Sequence, residues 1–126
     1  MTVVFALLVG WYAGPGWAGT VPLRDCGNCI PHRTLTYLPA DGIVIQMHAY
    51  PEERQFRPPR ATWPLHIARR DVVSGFEGVP ARYGVVQRVA LVGHREVYLW
   101  VWFGRARPTT VQLHRANVML ARARLR

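Results

Sequence analysis

Apolar and polar positions alternate most regularly between Gly84 and Phe103, where the runs VVQRVALV and EVYLWVWF flank Gly93-His94-Arg95. Val-rich and aromatic runs around a short break with a glycine predict an antiparallel hairpin. Two registers compete. A two-residue loop, Gly93-His94, sets Arg88 opposite Leu99 and Ala90 opposite Val97, mixing a charge into an aliphatic face. A three-residue loop, Gly93-His94-Arg95, gathers Val85, Val89, Leu91, Val97, Leu99, Val101 and Phe103 on one face, with Gln87 the only polar intruder. The other face then carries Val86, Arg88, Ala90, Tyr98, Trp100 and Trp102. A slip of one residue exchanges the two faces, so the cleaner segregation favours the three-residue loop. It gives one aliphatic core face and one aromatic face, on which Arg88 opposes Trp100 in a cation–π contact of ~0.5–1 kcal/mol.

Ile43 to Tyr50 alternates in the same way, with Ile43, Ile45, Met47 and Ala49 on one side and Val44, Gln46, His48 and Tyr50 on the other. It follows a turn signal, Pro39-Ala40-Asp41-Gly42. Pro51 to Pro64 reads as a polar, proline-rich loop pinned by Trp63, and Leu65-His66-Ile67 as a short strand. Near the end, Thr109-Thr110-Val111-Gln112 fits a capping box. The helix it opens runs to about Arg122 or a little beyond, with an apolar stripe of Leu113, Ala116, Met119, Leu120 and Ala123. These elements predict one α+β domain over residues 24–126: a small antiparallel sheet of about three to five strands, with one C-terminal helix packed on its aliphatic face.

Residues 2–23 carry no charge. The apolar run Val3–Val9 has the length of a signal-peptide core, Gly14-Pro15-Gly16 breaks a helix, and Gly16 and Ala18 are small residues at the −3 and −1 positions. Residues 1–23 are therefore expected to be a signal peptide or, at 22 uncharged residues, a membrane anchor. A third reading is a buried N-terminal strand or helix. No basic residue precedes the apolar run. Export places Cys26-Gly27-Asn28-Cys29 in an oxidising compartment, where a local Cys26–Cys29 disulfide is expected. A thioredoxin-type site wants its CxxC after a strand and at a helix start, whereas Ile30-Pro31 follows here. Ile30 also excludes covalent haem attachment, and zinc would need Cys26, Cys29, His32 and a distant His48 at loose spacing.

The 126 residues suit one domain, and the net charge of +9 comes with 16 basic residues that are all arginine. Arginine without lysine, among abundant Ala, Gly, Val and Pro, looks like the bias of a GC-rich genome. No nucleic-acid motif accompanies the charge, so the positive potential points instead to an anionic partner such as an envelope surface. Arg115, Arg122 and Arg126 fall together on one side of the expected helix, where they support its dipole or meet such a surface. Arg88, Tyr98, Trp100 and Trp102, with Tyr50 and His48, form a candidate binding face for a glycan, a peptide or a protein. Asp41, His48, His66, Asp71, Glu77 and His94 carry acid–base chemistry but lie in no motif of defined spacing, and no cofactor motif is present. The sequence therefore reads as a non-enzymatic interaction domain, exported or envelope-tethered. The alternative is a redox or metal-binding protein using Cys26 and Cys29.

Three stretches, LPADGIVI from Leu38, GFEGVP from Gly75 and FGRARPT from Phe103, with the closing Ala/Arg-rich helix, resemble small exported bacterial proteins of unknown function. The resemblance covers roughly residues 35 to 126 and rests on turns and helix starts. It implies export and assigns no residue a chemical role.

Overall fold

The computed structural model describes residues 1–53 and 55–126; Arg54, a charge of the Pro51–Pro64 loop, lies outside them. Strands begin at the third residue. In chain order they are β1 (Val3–Phe5), β2 (Tyr12–Gly14), β3 (Trp17–Gly19), β4 (Ile43–Pro51), β5 (Val73–Ser74), β6 (Gly84–Val92), β7 (Arg95–Phe103) and β8 (Ala123–Leu125). Helix α1 (His32–Thr36) precedes β4, and α2 (Thr110–Ala121) precedes β8. Six strands form one antiparallel sheet in the order β2-β3-β4-β7-β6-β5, and β1 pairs with β8 in a separate ribbon. The α+β architecture is as expected, but the sheet is larger than three to five strands.

The additional strands come mainly from residues 3–19, whose composition suggested a leader. Pro15-Gly16 turns β2 back into β3, with Gly14 opposite Trp17 and Gly16 at φ 77°. Proline then glycine at the centre of a four-residue turn, with the glycine at positive φ, is the type II pattern. β3 adds to β4 with Ala18 opposite Ile45, and Ala18 is fully buried. Val3 and Phe5 point into the same core while β1 pairs with Ala123–Leu125.

The hairpin adopts the other register. Val92 faces Arg95, Ala90 faces Val97 and Arg88 faces Leu99, so the loop is the two-residue Gly93-His94. Turn chemistry accounts for this. Gly93 has φ 61°, the positive angle that a type II′ turn requires at its first central position. A three-residue loop would place the left-handed residue at Arg95, where a side chain resists it. The charge that this register brings to the aliphatic face is accommodated at the margin of the sheet. β5 covers only Gly84 and Val85, so β6 is an outer strand at Arg88. There the long side chain lays its stem along the sheet and donates from Nη1 to the His66 carbonyl at 2.6 Å. Arg88 and Trp100 consequently lie on opposite faces, and the expected cation–π contact between them does not form.

One face of the sheet carries Ile43, Ile45, Met47, Val86, Ala90, Val97, Leu99, Val101 and Phe103, and α2 lies over it. The capping box is present: Thr109 Oγ1 accepts from the Gln112 amide at 3.1 Å, and Gln112 Oε1 accepts from the Thr109 amide at 2.9 Å. Ala116, Met119 and Leu120 of α2, with Ala123 beyond it, are buried, so the stripe is the contact surface. The helix stops at Ala121 and the chain extends into β8. Leu65 and Ile67 join this core, and Asn117 fixes their segment through both backbone groups of Ile67, at 2.9 Å each. Trp63 Nε1 donates to the Ala123 carbonyl at 3.1 Å, tying the proline-rich loop to the body.

Two substitutions test this architecture by chemical denaturation. Nothing crowds Gly93, so Gly93→Val meets only the backbone angle and should cost roughly 1–2 kcal/mol, whereas Gly93→Asn should recover most of it. Phe5→Ala should cost about 3–5 kcal/mol if the N-terminal strand is part of the folded unit; an unchanged midpoint would exclude that.

Candidate functional site

The second face of the sheet divides into a sealed half and an open half. Along it run Val85, Gln87, Val89 and Leu91 of β6; Glu96, Tyr98, Trp100 and Trp102 of β7; and Val44, Gln46, His48 and Tyr50 of β4. Residues 21–38 and 76–83 cover one end, packing Leu35, Leu38, Val79 and Tyr83 over Val44, Val85 and Trp102. Tyr83 Oη donates to the Leu35 carbonyl at 2.7 Å and ties the two covering segments together. Trp102 is fully buried, with Phe76 edge-on at 6.0 Å and Trp100 at 5.6 Å. It belongs to the core and not to the exposed binding face expected of it.

Gln46 marks the boundary between the halves. It is 1% exposed, its Oε1 accepts from Trp102 Nε1 at 2.7 Å, and its Nε2 donates to the Cys29 carbonyl at 2.9 Å. His48 Nε2 binds the Gly27 carbonyl. A carbonyl only accepts, so Nε2 carries the ring proton. These two side chains hold the Cys26–Cys29 turn down on the sheet. The cysteine sulfurs lie at disulfide distance, with Cα atoms 5.6 Å apart.

Beyond that turn the sheet is open. A pocket of about 220 Å³ is lined by the side chains of Asn28, His48, Tyr50, Gln87, Tyr98 and Trp100. Arg88 and Leu99 also border it, but alternation points their side chains to the far face, so they contribute backbone. Tyr50 and Tyr98 stand edge to face, centroids 5.5 Å apart, and both are exposed. Glu96 is 1% exposed behind Tyr98. One of its oxygens accepts from Tyr98 Oη at 3.1 Å and the other from the Glu53 amide at 2.6 Å. Burial, then that hydrogen bond and the charges of Glu96 and Glu53, push the Tyr98 phenol above its ordinary value. The ring therefore stays neutral through the physiological range. With Glu96 withdrawn behind Tyr98, the pocket wall presents rings and amides and no carboxylate.

The other candidates are dispersed. Asp71 caps the Ala68 amide at 2.7 Å, and His94 Nδ1 lies 3.3 Å from Glu52 Oε2 on the surface. Asp41, His66 and Glu77 are exposed. Of the acid–base candidates only His48 reaches the pocket, and its hydrogen bond goes to a carbonyl and not to a carboxylate. His32 lies near Gly78, and among the described residues no group of three or more metal-capable side chains assembles. The three arginines expected on one helical ridge do not form one. Arg115 is on α2 over the Trp11 ring at 5.6 Å, Arg122 caps the helix, and Arg126 lies beyond β8. Gln46, Gln87, Asn28 and Glu96 escaped the sequence reading. Gln87 carried a signal only through the turn: a glycine at the first loop position favours the register that sends Gln87 to the open face.

No protein-family model, no curated protein and no solved structure matches this chain. The geometry alone defines the site, an aromatic-floored, amide-edged pocket beside a tethered disulfide turn.

The wall of that pocket depends on Asp25, whose carboxylate accepts from the Arg33 amide at 3.2 Å and from the Thr34 amide and hydroxyl at 2.8 and 2.6 Å. These amides are orphan donors of the α1 N-terminus. Burial raises the Asp25 pKa, but the bonds from Thr34 and Arg33 and the Arg33 charge outweigh it, so the group lies below its ordinary value. A depressed folded pKa stabilises fully above the unfolded value and is lost as the pH falls through the folded one. Acidification below about pH 4 should therefore loosen α1 and the turn before it, read as loss of the near-UV circular dichroism of buried Trp102. Asp25→Asn should flatten that acid limb.

Proposed function

We propose that the chain is a non-enzymatic, exported or envelope-tethered interaction domain, and that its pocket holds one ring of an uncharged, hydroxyl-bearing ligand, the chemistry of a glycan unit. The observation that carries this is the joining of open aromatic rings, Trp100, Tyr98 and Tyr50, with the exposed amides of Gln87 and Asn28. A sugar ring has an apolar face that packs on a flat aromatic and edge hydroxyls that pair with amides. Buried polar groups must be paired to bind without penalty, and amides offer both donors and acceptors. At about 220 Å³ the pocket is smaller than the roughly 300–1,000 Å³ clefts of drug-sized ligands. It suits a single ring at the end or along the side of a longer polymer. Residues 1–23 stay with the domain in this reading, because Val3, Phe5 and Ala18 complete its core.

A redox or metal role for Cys26 and Cys29 is supported by a different observation: Cys26 is exposed in the turn whose Asn28 lines the same pocket. The two readings separate by mutation. Trp100→Ala should lower affinity for the best-bound saccharide at least roughly tenfold, near 1.4 kcal/mol, while the chain stays folded by circular dichroism. Trp102→Ala should instead cost about 3–5 kcal/mol of stability. Titration of a panel of neutral saccharides, followed by intrinsic tryptophan fluorescence, measures the first effect. Binding that survives Trp100→Ala but fails in Cys26→Ser would replace the glycan reading with the thiol one.

A further inference from the structure

A second surface lies on the opposite side of the molecule, where the turn joining β1 to β2 meets the outer side of α2. Leu7 is 62% exposed and Val9 is fully exposed at the tip of this turn. Leu8, Val9, Trp11, Arg115 and Val118 enclose a shallow hollow of about 360 Å³ behind it. The tip is held in place by arginine. Arg122 Nε donates to the Ala6 carbonyl at 2.9 Å and its Nη2 to the Leu7 carbonyl at 3.5 Å. Val111, Arg115, Val118 and Arg122 recur at the spacing of one helical face, so apolar and basic groups alternate along the solvent side of α2.

The segments that build this surface carry charge of one sign. Residues 1–24 and 109–126 contain no Asp or Glu, whereas 109–126 contain four arginines, Arg115, Arg122, Arg124 and Arg126. An exposed Leu-Val tip gains nothing from water and nothing from a polyphosphate chain. It gains by entering an apolar medium, and a surrounding of guanidinium groups selects a medium edged with anions.

We propose that this face docks on an anionic lipid bilayer, with Leu7 and Val9 entering the boundary between headgroups and acyl chains and with Arg115 and Arg122 at the level of the phosphates. Trp11, buried beneath Arg115, floors the hollow and fixes that side chain above it. Attachment of this kind lies on the membrane and does not cross it; no helix among the described residues is long and apolar enough to cross. Because α2 covers the face of the sheet opposite the aromatic pocket, docking leaves that pocket directed away from the bilayer. The docking surface stands whether or not the pocket takes a glycan.

The test is flotation of the full chain with vesicles of phosphatidylcholine alone, and with a third of the lipid replaced by phosphatidylglycerol, at low and physiological salt. The chain is expected to bind the anionic vesicles at least tenfold more tightly, and less so as salt rises. Arg115→Gln should weaken that binding roughly fivefold. The double variant Leu7→Ser/Val9→Ser should weaken it about tenfold or more while circular dichroism and the melting midpoint stay as in the unaltered chain. Should the double variant unfold, Val9→Asp, at a side chain in full contact with water, takes its place. Val9→Trp should bind at least as tightly as the unaltered chain. Equal binding to both vesicle types overturns the proposal, and so does a polar tip that binds as well as the native one. If heparin or single-stranded RNA is also bound equally well by the polar-tip variant, the surface belongs to a soluble polyanion instead.

Discussion

The two-residue turn at Gly93-His94 decides which side chains of β6 join each face of the sheet. Antiparallel partners share a face, so the turn that aligns β6 with β7 also decides which β6 residues lie on the same side as those of β4. With Gly93 at positive φ, Gln87, Val89, Tyr98 and Trp100 join Gln46, His48 and Tyr50 on one face, while Leu99, Val101 and Phe103 meet Met47, Ile45 and Ile43 on the other. The cost is Arg88 among aliphatic neighbours. The Arg88–His66 hydrogen bond at the sheet margin offsets it, because a long side chain can carry its charge past the apolar surface. Gln87, the intruder of the rejected register, has no comparable reach.

Gln46 then divides the face so formed. A buried amide left unpaired costs on the order of 1–3 kcal/mol, which makes such a group a strong local constraint once its partners are fixed. Here one end holds the indole of the sealed half and the other holds the disulfide turn that walls the open half. Core packing and pocket shape therefore meet in one side chain. The tightness with which Leu35 and Tyr83 pack on Trp102 reaches the pocket through it.

Local patterns were the legible part of the sequence. The capping box at Thr109 and Gln112, the stripe of α2 and the alternation of β4 each depend on residues a few positions apart, and each is present. The register was legible in the turn, because a three-residue loop asks Arg95 for a left-handed backbone; counting apolar residues on each face hid this by setting one polar intruder against another. The uncharged first 23 residues have the composition of a leader and also of strands buried between neighbours, and composition gave no sign of their pairing with residues 123–125. Trp100 and Trp102 are two positions apart on one face and look alike in sequence. Cover from residues 21–38 and 76–83 makes one a core residue and the other a wall, and that cover is a long-range event. For the same reason Asn28, Gln46 and Gln87, from three separate segments, gave no sign that they would meet.

The ribbon of β1 and β8 joins the first residues of the chain to the last, the Thr2 amide donating to the Arg126 carbonyl at 2.6 Å and the Arg126 amide to the Thr2 carbonyl at 2.8 Å. A contact spanning nearly the whole polypeptide carries the largest loop-closure entropy the molecule must meet, so it forms late. Opening this ribbon would uncover Val3 and Phe5 on one side and Ala123 on the other, so the clasp between the two ends closes that flank of the core.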